Sequence, residues 1–188
     1  VNVGAVILTS GYDSYDASGK SEYGFGRFAN VVTSMQFERI LSASGPYEGH
    51  LVRPSDGTTP KKIAWIQCVG SRDASIGNDY CSSVCCMYAT KEAIIAKEHE
   101  RDVEPTIFFN DLRAFGKGFE GFFNRAKEAA GVRYIQSLIS STKENPENKN
   151  LIMRYVDPSN GRDIIEEEFD MLVLSTGLVA HHSIGNLA

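Results

Sequence analysis

Cysteine is missing from most of this 188-residue chain, because all four copies lie between Cys68 and Cys86. A disulfide framework needs cysteines spread along the chain, so that class is excluded and one local site is indicated. Long apolar runs are also missing. Nothing approaches the roughly 18 consecutive apolar residues of a transmembrane helix, and no signal-peptide pattern opens the chain. Positive charge is scarce, with 19 Lys and Arg against 24 Asp and Glu, a net −5. Non-specific nucleic-acid binding, which needs surplus cations, is therefore excluded. No Ser-His-Asp arrangement and no well-placed carboxylate pair occurs, so no catalytic residue is assigned. His50, His99, His181 and His182 are scattered, and none reads as a ligand; the His181-His182 pair reads as tail.

What is present reads as alternating strands and helices. Residues 3–8 (Val-Gly-Ala-Val-Ile-Leu) form a buried-type strand, followed by Thr9-Ser10-Gly11. Residues 12–30 read as loop. Thr33 or Ser34 caps a helix bearing Met35, Phe37, Ile40 and Leu41. Residues 44–60 are a linker without periodicity. Ile63-Ala64-Trp65-Ile66 is a strand ending at Cys68, and residues 71–80 are polar loop. Residues 82–98 carry one broad apolar helical face. Strands follow at 106–109 and 132–135, on either side of a helix over 119–130 that Gly131 closes. Residues 142–150 are a polar turn. Two strands flank the hairpin signal Asp157-Pro158-Ser159-Asn160-Gly161, and residues 171–174 form the last strand. This order predicts an α/β unit with a parallel sheet and a small antiparallel insertion. An internal echo, Ala5 to Gly11 against Met171 to Gly177, suggests a unit inserted between two visits to a neighbouring domain. The expected division is 1–59, 60–168 and 169–188.

The cysteines read Cys68-x12-Cys81-x3-Cys85-Cys86. Cys68 closes a strand, Cys81 precedes a helix, and Cys85 and Cys86 fall in its first turn. The spacing from Cys81 to Cys85 predicts a shared helix face, and Cys86 points about 100° away. The positive end of a helix dipole favours thiolate, the ligand form. Four converging thiolates suit a metal centre, and both zinc and iron–sulfur clusters accept them. Zinc ribbons carry Cys-x-x-Cys knuckles, which are absent here, and an adjacent Cys-Cys suits a larger cluster. Buried or redox-active cysteines remain a third reading.

Two glycine-rich stretches match a loose dinucleotide pattern. Gly24-Phe25-Gly26-Arg27-Phe28-Ala29 follows a loop instead of a strand. Gly116-Lys117-Gly118-Phe119-Glu120-Gly121 is separated from its strand by six residues, 110–115, which loosens the turn that the motif needs. The position that a dinucleotide would occupy, the first strand-to-helix crossover, is where the cysteines sit. Lys91, on the same helix, is either a solvated lysine or a cation facing an electron-rich cofactor. Arg72, Asp73 and Asp79 read as turn residues.

The stretches Ile66-Gln67-Cys68-Val69-Gly70-Ser71-Arg72-Asp73, Tyr80-Cys81-Ser82-Ser83-Val84-Cys85-Cys86-Met87-Tyr88-Ala89 and Leu112-Arg113-Ala114-Phe115-Gly116-Lys117-Gly118 resemble the A subunit of heterodisulfide reductase and its relatives. Glu22-Tyr23-Gly24-Phe25-Gly26-Arg27 and Asn30-Val31-Val32-Thr33 resemble the segment before them. The resemblance implies a thioredoxin-reductase-like flavoprotein with nucleotide-binding (Rossmann-like) three-layer units, FAD and [4Fe–4S] clusters. It implies electron transfer in an anaerobic oxidoreductase complex, with other subunits of a heterodisulfide-reductase-like or quinone-interacting assembly as partners. It also implies a cytoplasmic location without membrane insertion, and leaves a homodimer open. By position, Cys68, Cys81, Cys85 and Cys86 match the cluster-binding cysteines. Thr9, Gly11, Thr176 and Gly177 match the ends of strands beside the flavin, and Lys91 matches a lysine on the flavin side. Residues 1–59 and 169–188 then belong to the FAD-binding domain, and 60–168 to an inserted NAD(P)-binding-like domain. The chain has no flavin fingerprint and no ferredoxin-type Cys-x-x-Cys. Those parts are expected outside it, and the piece alone is expected to be inactive. The competing reading is a non-catalytic zinc- or thiol-containing docking domain.

Overall fold

The structure, a computed structural model, describes residues 2–158 and 163–186. Its centre is a five-stranded parallel sheet made of β2 (Val31–Thr33), β3 (Lys62–Val69), β4 (Glu104–Phe109), β5 (Arg133–Gln136) and β9 (Met171–Thr176), in the order β2-β9-β3-β4-β5. Strands buried on both faces read as continuous apolar runs, which is why Ile63-Ala64-Trp65-Ile66 and Met171-Leu172-Val173-Leu174 were legible. β9 lies between β2 and β3, so the first and last parts of the chain meet in one sheet.

Alternate residues feed two cores. Ile63, Trp65, Ile107, Met171 and Val173 face a layer of three helices, α1 (Ser34–Leu41), α2 (Cys85–His99) and α3 (Phe119–Glu128). Phe37 of α1 stacks edge-on against Trp65, with ring centroids 5.3 Å apart. Ala64, Ile66, Phe108, Leu172 and Leu174 face an antiparallel meander of β6 (Ser141–Glu144), β7 (Leu151–Val156) and β8 (Ile164–Phe169). Helices, sheet and meander make three layers, with the parallel sheet and the small antiparallel piece that the sequence predicts. Thr33 caps α1 in a reciprocal box with Gln36, at 3.3 and 2.9 Å.

Three local expectations change. Residues 3–8 form no strand, and Val3, Val6, Ile7 and Leu8 are exposed. A buried-type strand needs neighbours, and none pairs with this segment among the described residues. The echo between Ala5 to Gly11 and Met171 to Gly177 is therefore one of sequence alone. Residues 141–144, which overlap the start of the expected polar turn, form β6 at the edge of the meander. Only Thr142 of the four is buried, so the strand is polar because it is mostly wet. The hairpin pairing of β7 with β8 is present, while Ser159, Asn160 and Gly161 of its turn lie outside the described residues. A short ladder of β1 (Tyr12–Ser14) with β10 (Leu178–Ala180) joins the two ends of the unit.

Candidate metal centre

Three elements meet at the carboxyl end of the sheet. β3 carries one extra residue against β9, since Ile66 pairs with Leu174 while Val69 pairs with Thr176. Such a bulge re-aims a side chain, and Cys68 sits in it with φ of 60°. Arg72 (57°) and Ser83 (65°) are also left-handed. Each such non-glycine position costs about 1–2 kcal/mol, and strained positions gather at functional sites. Cys85 and Cys86 are the first two residues of α2, whose N-terminus has no side-chain cap. Cys81 is not on that helix. The left-handed Ser83 breaks the chain between Cys81 and Cys85, so the shared helix face expected from the spacing does not form.

Hydroxyl groups stitch the cysteine loop together and to the start of β10. Ser71 Oγ donates to the Tyr80 carbonyl at 3.0 Å and accepts from the Ser82 amide at 3.2 Å. Ser82 Oγ accepts from the Leu178 amide at 2.8 Å. Gly177 donates to the Val69 carbonyl at 2.8 Å. Around the sulfurs, the Ser83 amide donates to Cys81 Sγ at 3.3 Å. Cys85 Sγ donates to the Thr176 carbonyl at 3.8 Å and Cys86 Sγ to that of Asp111 at 3.7 Å. The Tyr88 hydroxyl also donates to the Thr176 carbonyl, at 2.8 Å.

All four cysteines are free thiols, with Cys68 and Cys81 half-buried and Cys85 and Cys86 buried. They are close enough to feel one another's charge. Yet no three of their sulfurs lie within 4.8 Å of one another; among the described residues only Asp13, His181 and His182 bring three ligand atoms that close. A tetrahedral zinc with bonds near 2.3 Å needs sulfurs about 3.8 Å apart. A cluster that places each thiolate on a separate iron spreads its ligands wider. The four sulfurs are therefore not closed around a single zinc ion as they stand.

Burial dominates the thiols. It pushes Cys85 up to about 11 and also raises Cys68 and Cys86, against the expectation that the helix dipole favours thiolate. Buried neutral thiols are poor nucleophiles, which disfavours disulfide chemistry at Cys85 and Cys86. With the metal-free chain, iodoacetamide at pH 7 should modify half-buried Cys81 first. Cys85 should follow far more slowly, its rate climbing as pH approaches 11. Mass spectrometry of peptides checks this, and equal rates at pH 7 would refute it.

The other expected site residues divide. Thr176 is buried and Gly177 packs on the cysteine loop. Lys91 is exposed and pairs with Glu38 at 2.7 Å. It lines a recess of about 580 Å³ with Val84, Met87, Phe115, Phe119 and Phe122, at the amino end of α2 and α3. Thr9 and Gly11 lie on the exposed amino-terminal segment, which has no regular structure. Sequence reasoning missed Arg72 as more than a turn residue. Its guanidinium lies against Cys68, pairs with Asp111 at 2.7 Å, and keeps Nη1 buried without a hydrogen-bond partner.

No family model matches the chain. Several curated proteins do. Over all 188 residues it is 46% identical to the A subunit of the H2/formate:CoB-CoM heterodisulfide, ferredoxin reductase of Methanococcus maripaludis, covering 28% of that protein. Over 181 residues, 96% of the chain, it is 48% identical to the second iron-sulfur A subunit of the CoB–CoM heterodisulfide reductase of Methanopyrus kandleri, covering 27% of it. Over 174 residues, 93% of the chain, it is 42% identical to the A subunit of the ferredoxin/F420H2-dependent CoB-CoM heterodisulfide reductase of Methanosarcina acetivorans, covering 22% of it. The chain thus spans about a quarter of the length of the relatives it matches. The first match includes His181-His182, so that pair lies within the homologous region and is not an appended tail.

Proposed function

We propose, from the homology of the chain to a region of the heterodisulfide reductase A subunits, that it is an electron-transfer unit of such an oxidoreductase. In this reading Cys68, Cys81, Cys85 and Cys86 hold a [4Fe–4S] cluster, which supplies one-electron chemistry when bound. The observation that supports it most is that Cys68 lies in the β3 bulge and Cys85 and Cys86 begin α2, with Cys81 on the loop between them. Arg72 provides a fixed cation beside Cys68. The Ser71 and Ser82 hydroxyls hold the loop in place, and Thr176 contributes a carbonyl to Cys85. Lys91, Thr176 and Gly177 are the residues of this unit that would face FAD, with Thr9 and Gly11 on the adjoining segment. The partners in this reading are the other subunits of a heterodisulfide-reductase-type complex. No helix among the described residues is long and apolar enough to cross a membrane.

Anaerobic reconstitution with iron and sulfide tests this reading. The chain should take up about four iron and four sulfide and show broad visible absorbance. Cys85→Ser should lose both. A chain that binds about one zinc and no iron would favour the docking-domain reading, and full reconstitution without the absorbance would overturn the cluster assignment.

A further inference from the structure

A different set of side chains converges where β1 meets β10. Asp13 pairs with Val179 across this ladder. Just past β10 the chain turns so that two consecutive imidazoles come over the Asp13 carboxylate. His182 Nδ1 is 3.3 Å from Asp13 Oδ2, and His181 Nε2 is 4.0 Å from Oδ1. The rings lie 4.2 Å apart between centroids, inclined by 34°. The three ligand atoms are all within 4.8 Å of one another.

We propose that Asp13, His181 and His182 form a surface metal site that takes one divalent transition ion of the Zn2+ or Co2+ type, independently of the cysteines. Two imidazoles and a carboxylate are a donor set for such ions, whereas Mg2+ and Ca2+ take oxygen ligands. Bonds of about 2.0–2.2 Å would set the ligand atoms roughly 3.3–3.5 Å apart. His182 Nδ1 already lies at that spacing from Oδ2, while His181 Nε2, 4.0 Å from the other oxygen, comes into range by a turn of its ring or of the carboxylate. Ser183 Oγ lies 2.7 Å from His181 Nδ1, and the Ser183 amide donates to that nitrogen at 3.3 Å. Metal binding through Nε2 needs the tautomer with Nδ1–H, in which the hydroxyl accepts from the ring and the amide bond is given up. The His182 amide fixes Asp13 Oδ2 from below at 3.0 Å. Backbone capping accounts for that last bond but not for two rings converging on one carboxylate. The His182 side chain is 80% exposed and that of Asp13 40% exposed, so water can fill the remaining positions of the ion.

Anaerobic Co2+ titration of the cluster-free chain separates this site from the thiols. Cobalt on thiolate gives an intense sulfur-to-metal charge-transfer band, whereas cobalt on nitrogen and oxygen gives only weak ligand-field bands. The chain should show one sulfur-free equivalent, and Zn2+ should displace it while Mg2+ does not. His182→Ala, at an exposed position, and Asp13→Asn, which keeps the shape of a half-buried side chain, should each weaken that equivalent about tenfold or more and leave any charge-transfer band unchanged. Two-bond 1H–15N spectra with Zn2+ should shift His181 and His182 and spare His50 and His99. Absence of a sulfur-free equivalent, or the same affinity in both variants, overturns the proposal.

Discussion

The stability of the chain should fall as pH rises from about 4.5 to about 8, and Glu92→Gln should abolish that loss. Glu92, on α2, is 1% exposed. Its Oε2 accepts from Trp65 Nε1 at 2.8 Å, while its Oε1 is buried without a hydrogen-bond partner. Burial pushes the carboxyl up to about 8 from an ordinary 4.5, and the Trp65 bond only partly opposes this. Between those values the folded chain holds a proton that the unfolded chain has released. The contribution is therefore fully present below pH 4.5 and is lost as pH rises through 8. The slope reaches about 1.4 kcal/mol per pH unit, so the total is on the order of a few kcal/mol. Glutamine keeps the shape and still accepts from Trp65 but cannot ionise. Urea melts of both proteins at pH 5 and pH 8 measure the effect as a gap that opens in favour of the variant at the higher pH. Parallel curves would refute it.

Gly177→Ala should cost about 1–3 kcal/mol through overpacking and should loosen the cysteine loop. An added Cβ would meet Ser71 Cβ at 2.8 Å, Ser82 Oγ at 3.0 Å and the Gly70 carbonyl at 3.1 Å. The first two belong to the residues that hold the loop together and tie it to Leu178 of β10, so relief of the clash strains the stitching. Cys81, which sits next to Ser82, should become alkylated several-fold (~3-fold or more) faster if ~1 kcal/mol of loop closure is lost. Gly121→Ala on α3 is the control, because nothing lies within 4 Å of its Cβ and the change favours helix by about 0.5–1 kcal/mol. Equal denaturation midpoints for Gly177→Ala and the parent would show that the contact has no such role.

Most of the sheet was legible because doubly buried strands announce themselves as apolar runs and α1 carries its own capping signal at Thr33. The placement of the cysteines at a strand end and a helix start followed from the same patterns. What was not legible depended on neighbours distant in sequence or on unusual backbone. Residues 3–8 have the composition of a buried strand, but composition does not supply a partner. The polar β6 is defined by its pairing with β7. Cys68, Arg72 and Ser83 take left-handed conformations, and no signal in ordinary side chains forecasts this. The ion pair of Arg72 with Asp111 joins two loops. His181 and His182 looked idle because Asp13, far away in sequence, gives them their role in the geometry.

The order β2-β9-β3 also bears on synthesis and refolding. β9 is the last of the five sheet strands to leave the ribosome, yet it is the strand that β2 and β3 share. Until it arrives, β2 has no neighbour and β3 presents an open edge lined by apolar residues. Such an interval is one in which chains pair with the wrong partner. Closure must also wait for contacts that span most of the sequence, and non-local closure slows folding. The short length of β2, only Val31–Thr33, limits the template that a waiting chain offers to a stranger.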